Sequence, residues 1–202
     1  MPEEILPGIH HWMAPHPDIG VRVSSYLIEL AGIVLDPMIP EEGWEALPAT
    51  PRQVVLTSGH HGRQSAEFAE RFSIPIRATR EAEEHLGGTL PIERFAPDEK
   101  VAPGVTAIHV GVLCPDEGAL HIELGDGAIA IADALTTHNG ELGFFRDELL
   151  GDDPEAIKRG LTTQFAELLQ RDFDHLLFAH GAPVIGGAKA ALREFVAART
   201  DT

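Results

Sequence analysis

The residues whose types could do chemistry are histidines and carboxylates that stand at the ends of predicted strands. The polar loop Ser58-Gly-His-His-Gly-Arg63 follows a continuous apolar stretch at residues 53–57, and Asp133 and His180 each follow a further apolar stretch. Imidazole and carboxylate groups can hold a metal ion or transfer protons. These loops are therefore the first candidates for a functional site.

Sequence motifs of other catalytic machinery are missing from the chain. It has no G-x-S-x-G nucleophile elbow, no G-x-x-x-x-G-K-[ST] phosphate loop and no C-x-x-C pair. Its single cysteine allows no internal disulfide, which fits a reducing compartment. The first residues, MPEEILPG, lack the basic and apolar regions of a secretory signal, so the sequence predicts a cytoplasmic protein.

The charge of the chain limits its partners. The formal net charge of −17 repels nucleic-acid phosphates and anionic lipid. No apolar run approaches the roughly 18–20 residues that a membrane span needs. We therefore expect no nucleic acid and no membrane as partner, and instead a small-molecule ligand. An anionic ligand would require a local cationic group to offset the field of the protein.

The hydrophobic pattern predicts β-rich blocks that are each followed by a helix, in two halves of one domain over residues 1–202. Predicted strands cover residues 21–30, 32–37, 53–57, 73–77, 105–110, 118–124, 128–132 and 175–179. Predicted helices cover residues 66–72, 81–86, a long segment capped by Asp153-Pro154, and residues 188–198. His10, His11 and His16 are assigned to a solvated turn. Two packed sheets with helices on both outer faces would bury this pattern, although it also fits other α/β arrangements.

Five segments resemble, in order, landmarks of the metallo-β-lactamase superfamily. They are Ser25–Glu29 with Val34–Pro37 (its opening hairpin), Leu56–Arg63 (its H-x-H-x-D-H loop), Cys114–His121 (an H-P-G-E-T-A-L segment), Ile131–Leu135 (G-D-A-L) and Phe178–Pro183 (G-H-G-x-P). The resemblance extends over nearly the whole chain. It implies a four-layer αββα sandwich, the metallo-β-lactamase fold, and a hydrolase-like function.

The resemblance also implies that the metal site is degenerate. Ser58, Gly62 and Arg63 stand where the family's loop has a histidine, an aspartate and a final histidine. Arginine cannot ligate a metal, and its fixed charge opposes a second cation nearby. At most one metal ion is therefore expected: zinc, or else manganese or iron.

The ligands implied for that ion are His60, Asp133 and His180, with Cys114 at the third-segment position as a further thiolate. His61 would replace His60 if the loop were rearranged. The alternatives stay open: the histidines could be metal-free loop residues, and Cys114 a small buried apolar side chain. Asp36, at the end of the second predicted strand, is placed to orient a ligand or to brace a loop.

Two functions follow from this set of residues. In the first, one ion held by His60, Asp133 and His180 activates a water that hydrolyses an ester, thioester, lactam or phosphoester. In the second, the chain is a pseudoenzyme that binds no metal, and its cleft holds a small anion through Arg63 and the histidines, including His61.

Overall fold

The computed structural model describes residues 1–200, and its first half forms a seven-stranded sheet. In spatial order the strands are β1 (Glu3–Leu6), β2 (Ile9–Pro15), β3 (Arg22–Ile28), β4 (Ile33–Leu35), β5 (Gln53–Val55), β6 (Ile76–Ala78) and β7 (Ile92–Arg94). The pairs from β1 to β4 are antiparallel, and those from β4 to β7 are parallel. The loop that follows β5 therefore opens at the carboxyl edge of parallel strands, where side chains of neighbouring loops can meet.

A second sheet of six strands comes from the rest of the chain. Its strands are β8 (Lys100–Ala102), β9 (Val105–His109), β10 (Gly118–Ile122), β11 (Ala128–Ile131), β14 (His175–Phe178) and β15 (Val184–Ile185), in the spatial order β15-β14-β11-β10-β9-β8. The predicted turn at residues 125–127 joins β10 to β11 as an antiparallel hairpin. A small separate hairpin consists of β12 (Thr136–His138) and β13 (Glu141–Gly143).

Four α-helices complete the structure: α1 (Ser65–Phe72), α2 (Arg80–Leu86), α3 (Pro154–Leu168) and α4 (Ala188–Thr200). The predicted caps are present, since the Thr79 side chain accepts from the Ala82 amide and the Asp153 side chain accepts from the Ala156 amide. Short 3₁₀ turns occur at Trp44–Ala46, Gly59–His61 and Asp147–Leu149. No helix within residues 1–200 combines the length and apolarity that crossing a bilayer requires.

The core lies in three layers between these elements. Tyr26 and Leu35 of the first sheet pack against Leu120 and Leu177 of the second. A second cluster joins the first sheet to α1 and α2 through side chains such as Phe68, and a third joins the other sheet to α3 and α4. The order of layers is helix, sheet, sheet, helix. The predicted four-layer αββα sandwich is confirmed.

The N-terminal segment is where the sequence-based interpretation was wrong. The histidines assigned to a solvated turn include His10 and His11, which lie in strand β2. Trp12, which follows them, is 2% exposed, and its indole N–H donates to the carbonyl of Met38. The side chain of His10 is also buried and meets Glu29. Burial of one face of this strand outweighs the polar character of its histidines.

Candidate metal centre

Three side chains from distant parts of the chain meet at one edge of the two sheets. His61 comes from the loop after β5, Asp133 follows β11, and His180 follows β14. Strands β11 and β14 are parallel neighbours in a register that places residues 133 and 180 side by side just beyond their ends. Nε2 of His61 lies 3.3 Å from Oδ1 of Asp133, and Nε2 of His180 lies 3.4 Å from the same oxygen. All three ligand atoms lie within 4.8 Å of one another, a spacing suited to a metal ion.

The histidine that enters this cluster is His61, which corrects the expectation for His60. Residues 59–61 form a 3₁₀ turn, in which the Ser58 hydroxyl accepts from the His60 amide. Because such a turn has three residues per turn, neighbouring side chains point about 120° apart. His61 points inward and is buried, whereas His60 is exposed and packs against the ring of His85, with centroids 4.1 Å apart.

Asp36 contacts the ring nitrogen of His61 that points away from Asp133 and His180. Oδ2 of Asp36 lies 3.0 Å from Nδ1 of His61, and the same carboxylate accepts from the amide and hydroxyl of Thr57. A carboxylate at Nδ1 fixes the tautomer that leaves Nε2 directed at the other ligands, as in carboxylate–histidine–metal arrangements. The expectation that Asp36 orients a ligand agrees with this geometry.

Electrostatics in the cluster favour opposite charges on its members. Burial alone would lower the pKa of His61, but the carboxylates of Asp36 and Asp133 outweigh it and raise that pKa to about 9. Burial alone would raise the pKa of Asp133, but the nearby His61 charge holds it well below its usual range. Burial lowers the pKa of His180 to about 4, so its imidazole is neutral and ready to donate a lone pair.

The loop that carries His180 is fixed by two threonines of β12. The hydroxyl of Thr136 donates to the His180 carbonyl at 2.7 Å, and that of Thr137 donates to the Ala182 carbonyl at 2.9 Å. Gly181 has a φ of +91°, and a Cβ there would lie 2.6 Å from the Thr137 hydroxyl oxygen. Only glycine allows this close approach, so the glycine after His180 is required by packing.

Arg63 lies beside the cluster without forming an ion pair in it. Its Nη1 donates to the carbonyls of Ser24 and Asp36, both at 2.7 Å. Its Nε and Nη2 are buried and have no hydrogen-bond partner within residues 1–200. It makes no ion pair with Asp133, although the Arg63 charge contributes to the low pKa of that carboxyl. Arg63 thus supplies a fixed positive charge next to the ligand cluster.

Cys114 lies outside the cluster that His61, Asp133 and His180 form. It is half-buried, and burial together with the charges of Asp116 and Glu117 raises the pKa of its thiol to about 11. In the metal-free protein the thiol is therefore protonated at neutral pH.

Asp116, close to Cys114 in the chain, braces the histidine loop and was missed in the sequence. Its buried carboxylate accepts from the Gly59 amide at 2.7 Å and from the Ser58 hydroxyl at 3.1 Å. The segment that the resemblance matched to a ligand thus supports the loop that carries His61.

Glu117 was also missed, although it is the more unusual of the two acids. It is 2% exposed, and its carboxyl lies near the backbone amides of Asp133 and Ala134 without a hydrogen bond of good geometry. Burial and the charge of Asp133 raise the pKa of Glu117 to about 8, against the opposing effect of the backbone amides of Asp133 and Ala134. The signal in the sequence was a pair of adjacent acids, Asp116 and Glu117, directly before the predicted strand at residues 118–124.

Helix α2 packs closely against two glycines of the histidine loop. A Cβ on Gly62 would lie 2.9 Å from Cδ2 of Leu86, and a Cβ on Gly59 would lie 2.8 Å from Cβ of His85. The helix packs directly on the loop, so a side chain at position 62 would meet Leu86 and one at position 59 would meet His85.

An open cleft of about 390 Å³ borders the same loop. Its polar lining includes His16, Asp18, His60, Arg63, Gln64 and Glu67, and its apolar lining includes Met38 and Leu86. The three residues of the cluster lie next to this cleft in the loop region and do not line it. On the other side of the cluster, the ring of Phe145 packs edge-on against His180, with centroids 5.4 Å apart. The cleft has the size of a small-molecule site.

Comparisons with known proteins give similarity in structure only. No protein-family model matches the chain, and no curated protein matches its sequence. The flavodiiron protein from Giardia intestinalis superposes with a TM-score of 0.70 at 14% identity, over 99% of this chain and 59% of its own. This chain therefore spans about three fifths of that protein's length.

Two smaller proteins superpose over most of their own length. A motif mutant of the metallo-β-lactamase from Cronobacter sakazakii gives a TM-score of 0.63 at 16% identity, over 100% of this chain and 94% of its own. A metallo-β-lactamase family protein from Thermus thermophilus gives 0.62 at 16% identity, over 98% of this chain and 81% of its own.

Proposed function

From the metallo-β-lactamase fold, which this chain has, we propose that the protein is a metal-dependent hydrolase with a single divalent ion. The ion is zinc, or manganese or iron, and its ligands are His61, Asp133 and His180. The observation that carries this proposal is the triangle of two imidazole nitrogens and one carboxylate oxygen, each within 4.8 Å of the others.

The spacing of this triangle supports zinc-like coordination. Tetrahedral zinc with ligands at about 2.0–2.1 Å keeps its ligand atoms about 3.3–3.4 Å apart. The two contacts of Asp133 measure 3.3 Å to His61 and 3.4 Å to His180. Three protein ligands also leave an open position, as catalytic sites require. When bound, such an ion supplies a water activated for attack on a carbonyl or phosphoryl centre.

The residues around the triangle have defined supporting roles. Asp36 orients His61 through Nδ1, and Thr136 holds the backbone of His180. Arg63 lines the cleft beside the site with a permanent positive charge. In a chain of net charge −17, that charge favours a substrate with an anionic group near the scissile ester, thioester, lactam or phosphoester bond.

A second candidate function is a metal-free binding module for a small anion. Both ring nitrogens of His61 already face carboxylates, those of Asp36 and Asp133, so a proton can take the place of the ion. Arg63 lines the cleft, and its fixed positive charge attracts an anion there. These observations favour a pseudoenzyme that binds a carboxylate or phosphate.

Metal analysis with a matched pair of variants separates the two functions. We expect freshly purified protein to contain about one zinc, manganese or iron per chain, and His61→Ala to lose it. His60→Ala is the matched control, because His60 is the exposed neighbour in the same turn, and it should keep the ion. Chromogenic carboxylic esters, thioesters, lactams and phosphate esters then test whether the protein hydrolyses any of these bonds. Protein that stays metal-free in excess zinc, with no rise in melting temperature, would exclude the hydrolase and leave the anion-binding module.

A further inference from the structure

A second cavity, of about 550 Å³, is lined by residues of helices α3 and α4 and by one residue that follows β13. None of these residues belongs to the cluster of His61, Asp133 and His180, and none lines the cleft beside that cluster. They are Phe144, Glu155, Lys158, Arg159, Thr162 and Arg199. The cavity is therefore separate from the candidate metal centre, and it is large enough for a small organic molecule.

One face of α3 and one aromatic ring form most of its wall. The lining residues of α3, at positions 155, 158, 159 and 162, have the i, i+3, i+4, i+7 spacing of neighbours along one side of a helix. Phe144 packs against Phe165 of α3 and Phe195 of α4, with ring centroids 6.1 Å and 5.1 Å away. The cavity thus combines a polar helix face with a ring that two helices hold in place.

The cavity concentrates positive charge in an acidic protein. Three of its lining residues are cations, Lys158, Arg159 and Arg199, and one is an acid, Glu155. The chain as a whole has 15 Lys and Arg residues against 32 Asp and Glu residues. The cleft beside the metal cluster, in contrast, is lined by one arginine and two acids. An anion that most of the protein surface repels is therefore attracted to this cavity.

The two arginines are the cations that can bind a ligand here. Nζ of Lys158 lies 2.8 Å from carboxylate oxygens of both Asp147 and Glu155, so the acid on the wall is already paired. Arg159 is exposed, and neither it nor Arg199 forms an ion pair within residues 1–200. Their positive charges are therefore not neutralised by a carboxylate of the described chain.

Aromatic rings position the guanidinium group of Arg199. Its Cζ lies 3.5 Å from the ring centroid of Phe195 and 5.5 Å from that of Phe144. One nitrogen, Nη1, donates to the carbonyl of Phe195 at 2.8 Å. Stacking on a ring uses the face of a guanidinium and not its five N–H groups, so further donors can hold an anion.

We propose that this cavity is a second binding site, which takes a small organic anion with a carboxylate or phosphate group on an apolar ring. Arg159 and Arg199 hold the anionic group, and Phe144 contacts the ring of the ligand. The planar fork of a guanidinium suits the oxygens of both anionic groups. The site shares no residue with the proposed metal centre, so it goes beyond the proposed hydrolase and is tested independently of it.

Calorimetric titration of the full chain with benzoate and with phenylphosphonate tests the proposal and distinguishes the two anionic groups. We expect one molecule of at least one of these probes to bind per chain, and benzamide, the uncharged analogue of benzoate, not to bind. Arg159→Gln and Arg199→Met should each weaken the affinity by at least about 10-fold, since each removes charge-assisted hydrogen bonds. Arg193→Gln is the matched control, because Arg193 is an exposed arginine of α4 that does not line the cavity. Wild-type protein that binds neither probe, or an unchanged affinity in both cavity variants, overturns the proposal.

A second measurement needs no variant and so does not depend on the folding of the substituted proteins. Wild-type crystals soaked in the 4-bromo form of the probe that binds locate it by the anomalous scattering of bromine. We expect its anionic oxygens about 2.7–2.9 Å from guanidinium nitrogens of Arg159 or Arg199, the distance of charge-assisted hydrogen bonds. A probe found only in the cleft at Arg63 or at the metal cluster would overturn the proposal and leave the proposed hydrolase unaffected.

Discussion

Nδ1 of His61 lies 3.0 Å from Oδ2 of Asp36, in a contact where both side chains are almost completely buried. This contact joins the loop after β5 to the end of β4 and directs the other ring nitrogen of His61 at Asp133. The geometry of the candidate centre thus depends on a carboxylate that does not itself belong to the ligand triangle.

Asp36→Asn should weaken metal binding without removing a ligand. An amide at position 36 cannot support the imidazole as a carboxylate does, and loss of such a partner typically costs 10–100-fold in affinity. Titration calorimetry with Zn²⁺ measures the change. Asp126→Asn, an exposed position in the turn between β10 and β11, should bind like wild type. Equal affinities for Zn²⁺ in both variants would show that Asp36 does not contribute to metal binding.

The stability of the metal-free protein should fall as the pH rises above neutrality. The pKa of His61 is raised from its ordinary value of 6.5 to about 9 in the folded chain. Its charge therefore stabilises the fold in full below about pH 6.5, and this stabilisation disappears as the pH rises through 9. Chelator-treated protein should lose up to about 3 kcal/mol of unfolding free energy between pH 6 and pH 10.

Urea unfolding at a series of pH values checks that expectation. His61→Gln should remove most of the slope between pH 6.5 and 9, since it removes the titrating group. His60→Gln should keep the wild-type slope, because the exposed neighbour makes no contact with Asp36 or Asp133. A wild-type unfolding free energy that does not change with pH across this range would contradict the charged state of His61.

Metal binding at neutral pH should release a proton from His61. Nε2 carries that proton when the pKa is about 9, and a metal ion can bind only the deprotonated nitrogen. Affinity should therefore rise about 10-fold per pH unit below pH 9. Calorimetry in buffers of different ionisation enthalpy counts the protons released, and we expect about one per ion. Release of no proton would mean that the ion does not displace the proton of His61.

The fold could be predicted from the sequence because the sequence patterns that specify its strands, helices and turns are local. Alternating apolar stretches, the caps at Thr79 and Asp153, and the turn at residues 125–127 all act within a few residues. The N-terminal strand β2 could not be predicted in this way, because Trp12 is buried in a cluster with residues far along the chain, such as Val54 and Phe68.

The site was harder to predict, for two physical reasons. Which of His60 and His61 faces inward depends on a single 3₁₀ turn, and motif spacing pointed to the wrong one. The burial of Glu117, which is 2% exposed, depends on tertiary packing at the edge of the second sheet, and no local pattern in the sequence shows it.

Gly62→Asp should introduce the aspartate of the H-x-H-x-D-H loop without creating a second metal site. The added side chain would meet Leu86, whose Cδ2 lies 2.9 Å from the ideal Cβ position. Overpacking of this kind typically costs about 1–3 kcal/mol. Thermal unfolding should show the loss, and metal analysis should still find about one ion per chain. Adding Leu86→Ala should recover part of the stability, whereas a gain of a second ion in the single variant would refute the packing argument.

Arg63 should have opposite effects on stability and on metal affinity. Its guanidinium donates to the carbonyls of Ser24 and Asp36, so Arg63→Met leaves two acceptors unsatisfied and should cost about 1–3 kcal/mol. The same change removes a positive charge beside the ligand cluster, and the affinity for Zn²⁺ should therefore rise. Arg63→Lys, which keeps the charge, is the control and should leave the affinity near the wild-type value. Urea unfolding measures the stability of the three proteins, and calorimetric titration measures their affinity for Zn²⁺. A fall in Zn²⁺ affinity in Arg63→Met alone would show that Arg63 acts through the geometry of the loop and not through its charge.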